Sequence, residues 1–253
     1  MLMHLHRTLA LAFASATATL GLPAAELMLH AAASLSDAME ELVPLYERAA
    51  PDTLKCNYGA SGTLARQIKE GAPGDLFFSA DALRMDQLDE GGLLLADTRR
   101  TIVSNTLVLI MSADDDRMIS SLAQLAASPV RRIAIGEPAT VPAGSYAMDH
   151  LRKIGLWDDV AERLVPLDNV RAVLAAVGSG NAGAGFVYRT DARVSKNVRI
   201  ALEIPATEGP AIAYPIAVLH SSRSVGSARA FITFLVSPEA QAVFAKLGFL
   251  PPN

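Results

Sequence analysis

Leu27-Met28-Leu29-His30-Ala31-Ala32-Ala33-Ser34-Leu35-Ser36-Asp37 is the stretch on which the fold turns. Residues 27–33 form an apolar run of strand length, and beyond it Met39, Leu42, Val43 and Tyr46 recur at helical spacing, with Asp37 in the first turn. A strand thus feeds a helix through a loop of small and hydroxyl residues. Pro44 falls inside that helix, where it brings no N–H and crowds the preceding turn, so it is expected to kink or shorten it.

The same order repeats outward from this stretch. Strands are expected at 54–58, 76–79, 132–136, 165–167 and 185–188, with helices at about 63–70, 81–90, 121–127, 144–154 and 170–177. Residues 100–111 read as one long apolar strand, 214–219 as a late strand, and 224–236 and 238–247 as closing helices. Strands alternating with helices make an α/β chain with largely parallel sheets covered on both faces. The 253 residues suit two such sheets, hence two lobes. The natural crossings are 101–111 and 214–219, which assigns 26–104 with 215–253 to lobe I and 105–214 to lobe II.

Composition narrows the function. Lys and Arg total 22 against 26 Asp and Glu, a net charge of −4 with no basic run longer than a pair, so nucleic acid is not an expected partner. The single cysteine, Cys56, excludes an intrachain disulfide and is expected to be buried. No CxxC or HxxxH spacing offers a structural metal site. Residues 1–25 carry one strong positive charge, Arg7, then an uncharged Leu/Ala/Thr-rich run that ends in Pro23-Ala24-Ala25. That is the pattern of a secretory signal peptide, with an N-terminal membrane anchor as the alternative, and it places the mature chain outside the cytoplasm.

Four strand-to-helix loops share one chemistry: 33–37, 59–63, 142–145 and 167–170 run through Ser, Gly, Ala or Asn into a helix start. Such loops line the crevice at the carboxyl ends of an α/β sheet, and helix N-termini offer unpaired N–H groups to anions. Taken singly, Ser36, Ser61 and Asn169 read as helix caps; the recurrence points to an anion-sized cavity. Other motifs read as structural. Gly178-Ser179-Gly180-Asn181-Ala182-Gly183 matches a dinucleotide fingerprint but follows a helix instead of a strand, so it reads as a turn. Asp114-Asp115-Asp116 reads as a solvated turn, Arg66 and Arg171 as solvated helix residues, and Asp37 and Asp168 as acids placed at helix starts.

Six blocks in order carry a resemblance: 31–35 (Ala-Ala-Ala-Ser-Leu), 60–68 (Ala-Ser-Gly-Thr-Leu-Ala-Arg-Gln-Ile), 71–81 (Gly-Ala-Pro-Gly-Asp-Leu-Phe-Phe-Ser-Ala-Asp), 141–144 (Val-Pro-Ala-Gly), 168–171 (Asp-Asn-Val-Arg) and 185–188 (Gly-Phe-Val-Tyr). Together they resemble the periplasmic molybdate-binding proteins of ABC transporters across essentially the whole mature chain. The resemblance implies a two-lobed periplasmic-binding-protein fold of type II, with molybdate or tungstate held between the lobes. It implies delivery to membrane permease subunits driven by a cytoplasmic ATPase, a periplasmic monomer, and neither cofactor nor catalysis. Carried over block by block, it assigns the ligand to Ser34, Ser61, Ala143, Val170 and Tyr188, with molybdenum held as its oxyanion and no protein atom on the metal. Ala143 and Val170 have no polar side-chain atom and can serve only through the main chain. Alternatives are a receptor for another tetrahedral oxyanion such as sulfate or chromate, a secreted enzyme acting on small anions, or an oxyanion-sensing protein without a permease.

Overall fold

The computed structural model describes residues 24–205 and 207–252. The leader expected at 1–25 lies, except for Ala24 and Ala25, outside the described residues. In chain order the strands are β1 (Glu26–Ala32), β2 (Thr53–Gly59), β3 (Leu76–Phe78), β4 (Arg100–Val103), β5 (Leu107–Ser112), β6 (Ile133–Gly136), β7 (Leu164–Leu167), β8 (Ala184–Tyr188), β9 (Val198–Glu203) and β10 (Tyr214–Val218). The helices are α1 (Ser36–Ala49), α2 (Ser61–Lys69), α3 (Ala82–Glu90), α4 (Leu122–Ala127), α5 (Pro142–Lys153), α6 (Trp157–Val160), α7 (Val170–Gly178), α8 (Arg189–Arg193), α9 (Val225–Leu235) and α10 (Pro238–Leu247). Two five-stranded sheets result, ordered β2-β1-β3-β10-β4 and β7-β6-β8-β5-β9.

Each sheet has four strands in one direction and one against them, β10 in the first and β5 in the second. These two are the strands that arrive from the other lobe. The chain leaves β4 and β9 at the carboxyl end of a sheet, crosses, and enters the facing sheet at its own carboxyl end, so the incoming strand must run backwards. The run 100–111 is therefore two strands in different sheets, parted by Ser104-Asn105-Thr106, where a single strand was expected. The polar triplet faces the crossing: Ser104 Oγ donates to Ile212 O at 2.7 Å on the returning segment, tying the two crossings together.

Both faces of the first sheet are covered at its centre, so β3 and β10 are buried at successive positions. In β3, Phe78 packs in the main core while Phe77 packs with Leu64, Ile68, Met85 and Leu88 of α2 and α3. The α1 helix buries Ala38, Met39, Leu42 and Tyr46, and Tyr46 meets the Phe231 ring of α9 edge-on at 5.1 Å. The closing helices thus return to the first sheet.

Three local expectations are corrected. Helix α1 runs on through Pro44 to Ala49. Pro44 and Glu40, whose carbonyl loses its partner, both lie on the exposed side, where water can satisfy that oxygen. Cys56 is half-buried, because β2 is an edge strand, although burial still raises its thiol pKa. The short α6 and α8 and the strand β9 were not anticipated; β9 nonetheless alternates Val198, Ile200 and Leu202.

Candidate functional site

The strand registers bring the loops together. Ala32 pairs with Gly59 and Ala31 with Phe78, so the chain leaves β1, β2 and β3 at one end of the first sheet. Gly136 pairs with Leu167, and Tyr188 is the last residue of β8 at the same end of the second sheet. These two ends face each other. Ser34, Ser61, Ala143, Val170 and Tyr188, separated by up to 154 positions in sequence, line one cavity between the lobes. Its volume is about 10 Å³. With the lobes in this position that is space for about one water-sized group, far below the roughly 300–1,000 Å³ of sites for organic ligands.

The wall is neutral and rich in donors. Beside the five residues it comprises Ala32, Ala33, Gly59, Ala60, Ala80, Val141, Pro142 and Asn169, with no carboxylate or cationic side chain among the described residues. Its hydrogen bonds leave specific donors over. In α7, the cap Asn169 accepts from Arg171 N at 2.9 Å and Ala172 N at 3.0 Å, and Val173 N reaches Asn169 O, so Val170 N–H alone is left without an acceptor among the described residues. In α5, Pro142 has no N–H, and Gly144 and Ser145 both donate to Val141 O. That leaves Ala143 N–H. At the first position of α2, Ser61 N–H is likewise unpartnered among the described residues. Three helix N-termini therefore point free N–H groups at one spot, each with the partial positive charge of its helix end.

The side chains add to this. Ser61 is not a helix cap: its Oγ accepts from Ala80 N at 3.0 Å, which leaves its proton to donate elsewhere. Ser34 Oγ lies 3.0 Å from Tyr214 OH. The Tyr188 hydroxyl is buried without a partner among the described residues, and burial drives its pKa far above the ordinary value, so it stays a neutral O–H donor.

Charged contacts surround the cavity and join the lobes. Arg171 of α7 pairs with Asp37 of α1 across the cleft, and its Nε stands 2.9 Å from Asp191 Oδ1. It is one quarter exposed, not a solvated helix residue as expected. Asp37 therefore serves the lobe contact, while Asp168 is exposed and the capping role falls to Asn169. Arg84 Nη2 donates to Ala139 O at 2.6 Å and Gly62 N to Thr140 O at 2.9 Å, two further bonds between lobes. Asp191 Oδ2 accepts from Tyr188 N at 3.2 Å, holding the end of β8 where its ring enters the cavity.

Burial pushes the Asp191 carboxyl up to about 6, against the opposing pull of Arg171 and the Tyr188 N–H. A carboxyl raised on folding contributes stability that is complete below its unfolded value near 4 and lost as pH rises through about 6. Asp191→Asn is expected to abolish this loss. Between about pH 4 and 6 the wild-type unfolding free energy should fall relative to the variant by about 2–3 kcal/mol, read from denaturant midpoints at each pH.

Sequence reasoning missed Tyr214, Asn105, Arg84 and Asp191. The signal for Asn105 was the polar triplet that interrupts an apolar run; for Asp191 it was an acid three residues beyond the end of a strand, where it can accept from a helix start. The motifs set aside as structural are so placed. Helix α7 ends at Gly178, and Gly180, at φ +74°, turns the chain into β8. Asp115 is engaged by Arg117, and no cluster of metal-ligating side chains occurs among the described residues.

Three kinds of likeness accompany this geometry. The model of the family described as bacterial extracellular solute-binding protein matches residues 27–250. The molybdate-binding protein ModA of Escherichia coli K12 is 35% identical over 228 residues, spanning 88% of each chain. YvgL of Bacillus subtilis, provisionally named an ABC transporter substrate-binding lipoprotein, is 40% identical over 88% of this chain and 85% of its own. The periplasmic molybdate-binding protein of Azotobacter vinelandii superposes with a TM-score of 0.81 at 26% identity, covering 90% of this chain and all of that one.

Proposed function

The chain belongs to the bacterial extracellular solute-binding proteins, and from that premise we propose that it is an extracytoplasmic receptor that closes on molybdate, and on tungstate, and delivers it to an ABC permease. One observation carries the reading: five residues from both lobes surround one small neutral cavity, and the donors left over there have no acceptor among the described residues. A dianion would satisfy Ser34 and Ser61 from lobe I and the Ala143 N–H, Val170 N–H and Tyr188 hydroxyl from lobe II. Each bond would be charge-assisted, about twice as strong as a neutral one.

The same wall supports recognition without turnover. Proton transfer needs a titratable group within reach of the ligand, and among the described residues the lining offers only Tyr188, held neutral by burial. Molybdenum would enter as its oxyanion, with oxygen atoms and not the metal facing the protein; no cofactor is called for. Lobe I would comprise 26–104 with 215–253 and lobe II 105–214, the hinge lying in the crossings near 104–106 and 207–213. The remaining assignments follow the family: export by the leader at 1–25, action as a monomer in the periplasm, and permease subunits with a cytoplasmic ATPase as partners.

Calorimetric titration of ligand-stripped protein with molybdate, tungstate, sulfate and phosphate tests the proposal. Tight binding of the first two and weak binding of the others is expected, and Ser34→Ala and Tyr188→Phe should each weaken molybdate by about 10- to 100-fold, the worth of one hydrogen bond to a charged group. No heat with molybdate or tungstate would overturn it, and preference for sulfate would move the receptor to another oxyanion.

A further inference from the structure

The Ser34 hydroxyl is not free to choose its polarity. Asn105, at the first crossing, accepts from Thr106 N at its Oδ1 (2.9 Å), which turns its Nδ2 toward Thr190 Oγ1 at 2.9 Å and Tyr214 OH at 3.4 Å. An amide NH₂ can only donate, so the Tyr214 oxygen is an acceptor on that side. Tyr214 is fully buried, and among the described residues its single proton has one remaining partner, Ser34 Oγ at 3.0 Å. Ser34 Oγ then accepts from Tyr214, and its own proton is left for the cavity.

We propose that Tyr214, oriented by Asn105, is a positioning residue that fixes the Ser34 hydroxyl as a donor and so excludes oxyanions that carry a proton. The inference rests on the cavity being the oxyanion site. Asn105 sits at one crossing and Tyr214 opens the strand after the other, while Thr190 belongs to α8 of lobe II, so the relay runs from the second lobe through the hinge to the first. Ser61 is set the same way by Ala80 N. With each hydroxyl oxygen already accepting one bond from the protein and its proton left for the cavity, an ion such as hydrogen phosphate meets both serines as donors, and a buried proton without an acceptor is expensive. Fully deprotonated molybdate has no such proton.

The test compares wild type, Tyr214→Phe, Ser34→Ala and the double variant by calorimetry with molybdate and with phosphate at neutral pH. Tyr214→Phe removes only the hydroxyl. It is expected to weaken molybdate about tenfold and to shrink the molybdate-over-phosphate preference at least tenfold, because the freed Ser34 oxygen can accept a proton. In the Ser34→Ala background the same substitution should change neither quantity more than about twofold. Equal effects in both backgrounds, or an unchanged preference, would overturn the proposal and leave Tyr214 a packing residue. If Tyr214→Phe does not fold, Asn105→Ala, which removes the donor that orients Tyr214, is carried through the same cycle and judged by the same criteria. Wild type that binds no molybdate would instead fail the receptor reading, a result visible before any variant is compared.

Discussion

Gly62→Ala is expected to weaken molybdate binding by about 100-fold or more while leaving the thermal unfolding of the ligand-free protein unchanged or slightly raised. Gly62 stands in the first turn of α2 and donates its N–H to Thr140 O of the other lobe at 2.9 Å. A Cβ there would lie 2.6 Å from Thr140 O and 2.8 Å from Thr140 Cα. Both are backbone atoms, so no side chain can swing aside, and the lobes must part. Parting lengthens the bonds from one lobe's donors to a ligand held by the other, and hydrogen bonds weaken steeply with distance. Loss of two charge-assisted bonds is worth about 3–6 kcal/mol, about two to four orders of magnitude in affinity. Within each lobe nothing is disturbed, and alanine favours a helix over glycine by about 1 kcal/mol. Calorimetry with a melting curve checks both halves; affinity within threefold of wild type would mean that ligand is held without this degree of closure.

Gly144→Ala is expected to do the opposite in kind, lowering the melting temperature by about 5–10 °C as well as weakening the ligand. A Cβ at Gly144 would sit 1.9 Å from Gly136 O and 2.6 Å from Gly136 C. Here α5 rests directly on the end of β6 within one lobe, so no hinge can relieve the clash. Overpacking of this kind costs about 1–3 kcal/mol, and a domain of this size loses about 2–4 °C for each. The first turn of α5 must retract from the sheet, taking the Ala143 N–H with it. Differential scanning calorimetry should separate the two variants cleanly, one failing in closure and the other in the fold; an unchanged melting temperature for Gly144→Ala would mean that α5 is not seated as tightly as these distances require.

The sequence carried the architecture well wherever local pattern and tertiary role agree. Residues 27–46 read as strand, loop and helix because apolar periodicity changes from a run to a helical spacing at Ser34, and the structure changes there too. The run 100–111 misled because hydropathy does not register which sheet a strand joins; only Ser104-Asn105-Thr106 marks the change of lobe. At the cavity, the two serines were visible as side-chain chemistry. Ala143 and Val170 were not, since what they offer is an N–H that neighbouring caps leave unused, and resemblance alone pointed to them. The contact of Tyr214 with Ser34 spans 180 positions and depends on strands from two sheets meeting at the hinge, which no local window can hold.

The five cavity residues are between 0 and 4% exposed, so the chamber they form is walled off from solvent while the lobes are together. An ion inside has no exit through a standing gap, and its escape can be no faster than the rate at which the lobes swing apart. Residence time would then be a mechanical quantity, set by Arg171, Arg84 and Gly62 at the lobe contact as much as by the donors that touch the ion. A transporter that empties such a receptor need not compete for the anion at all. Holding the two lobes open would suffice, and the cargo would leave by diffusion.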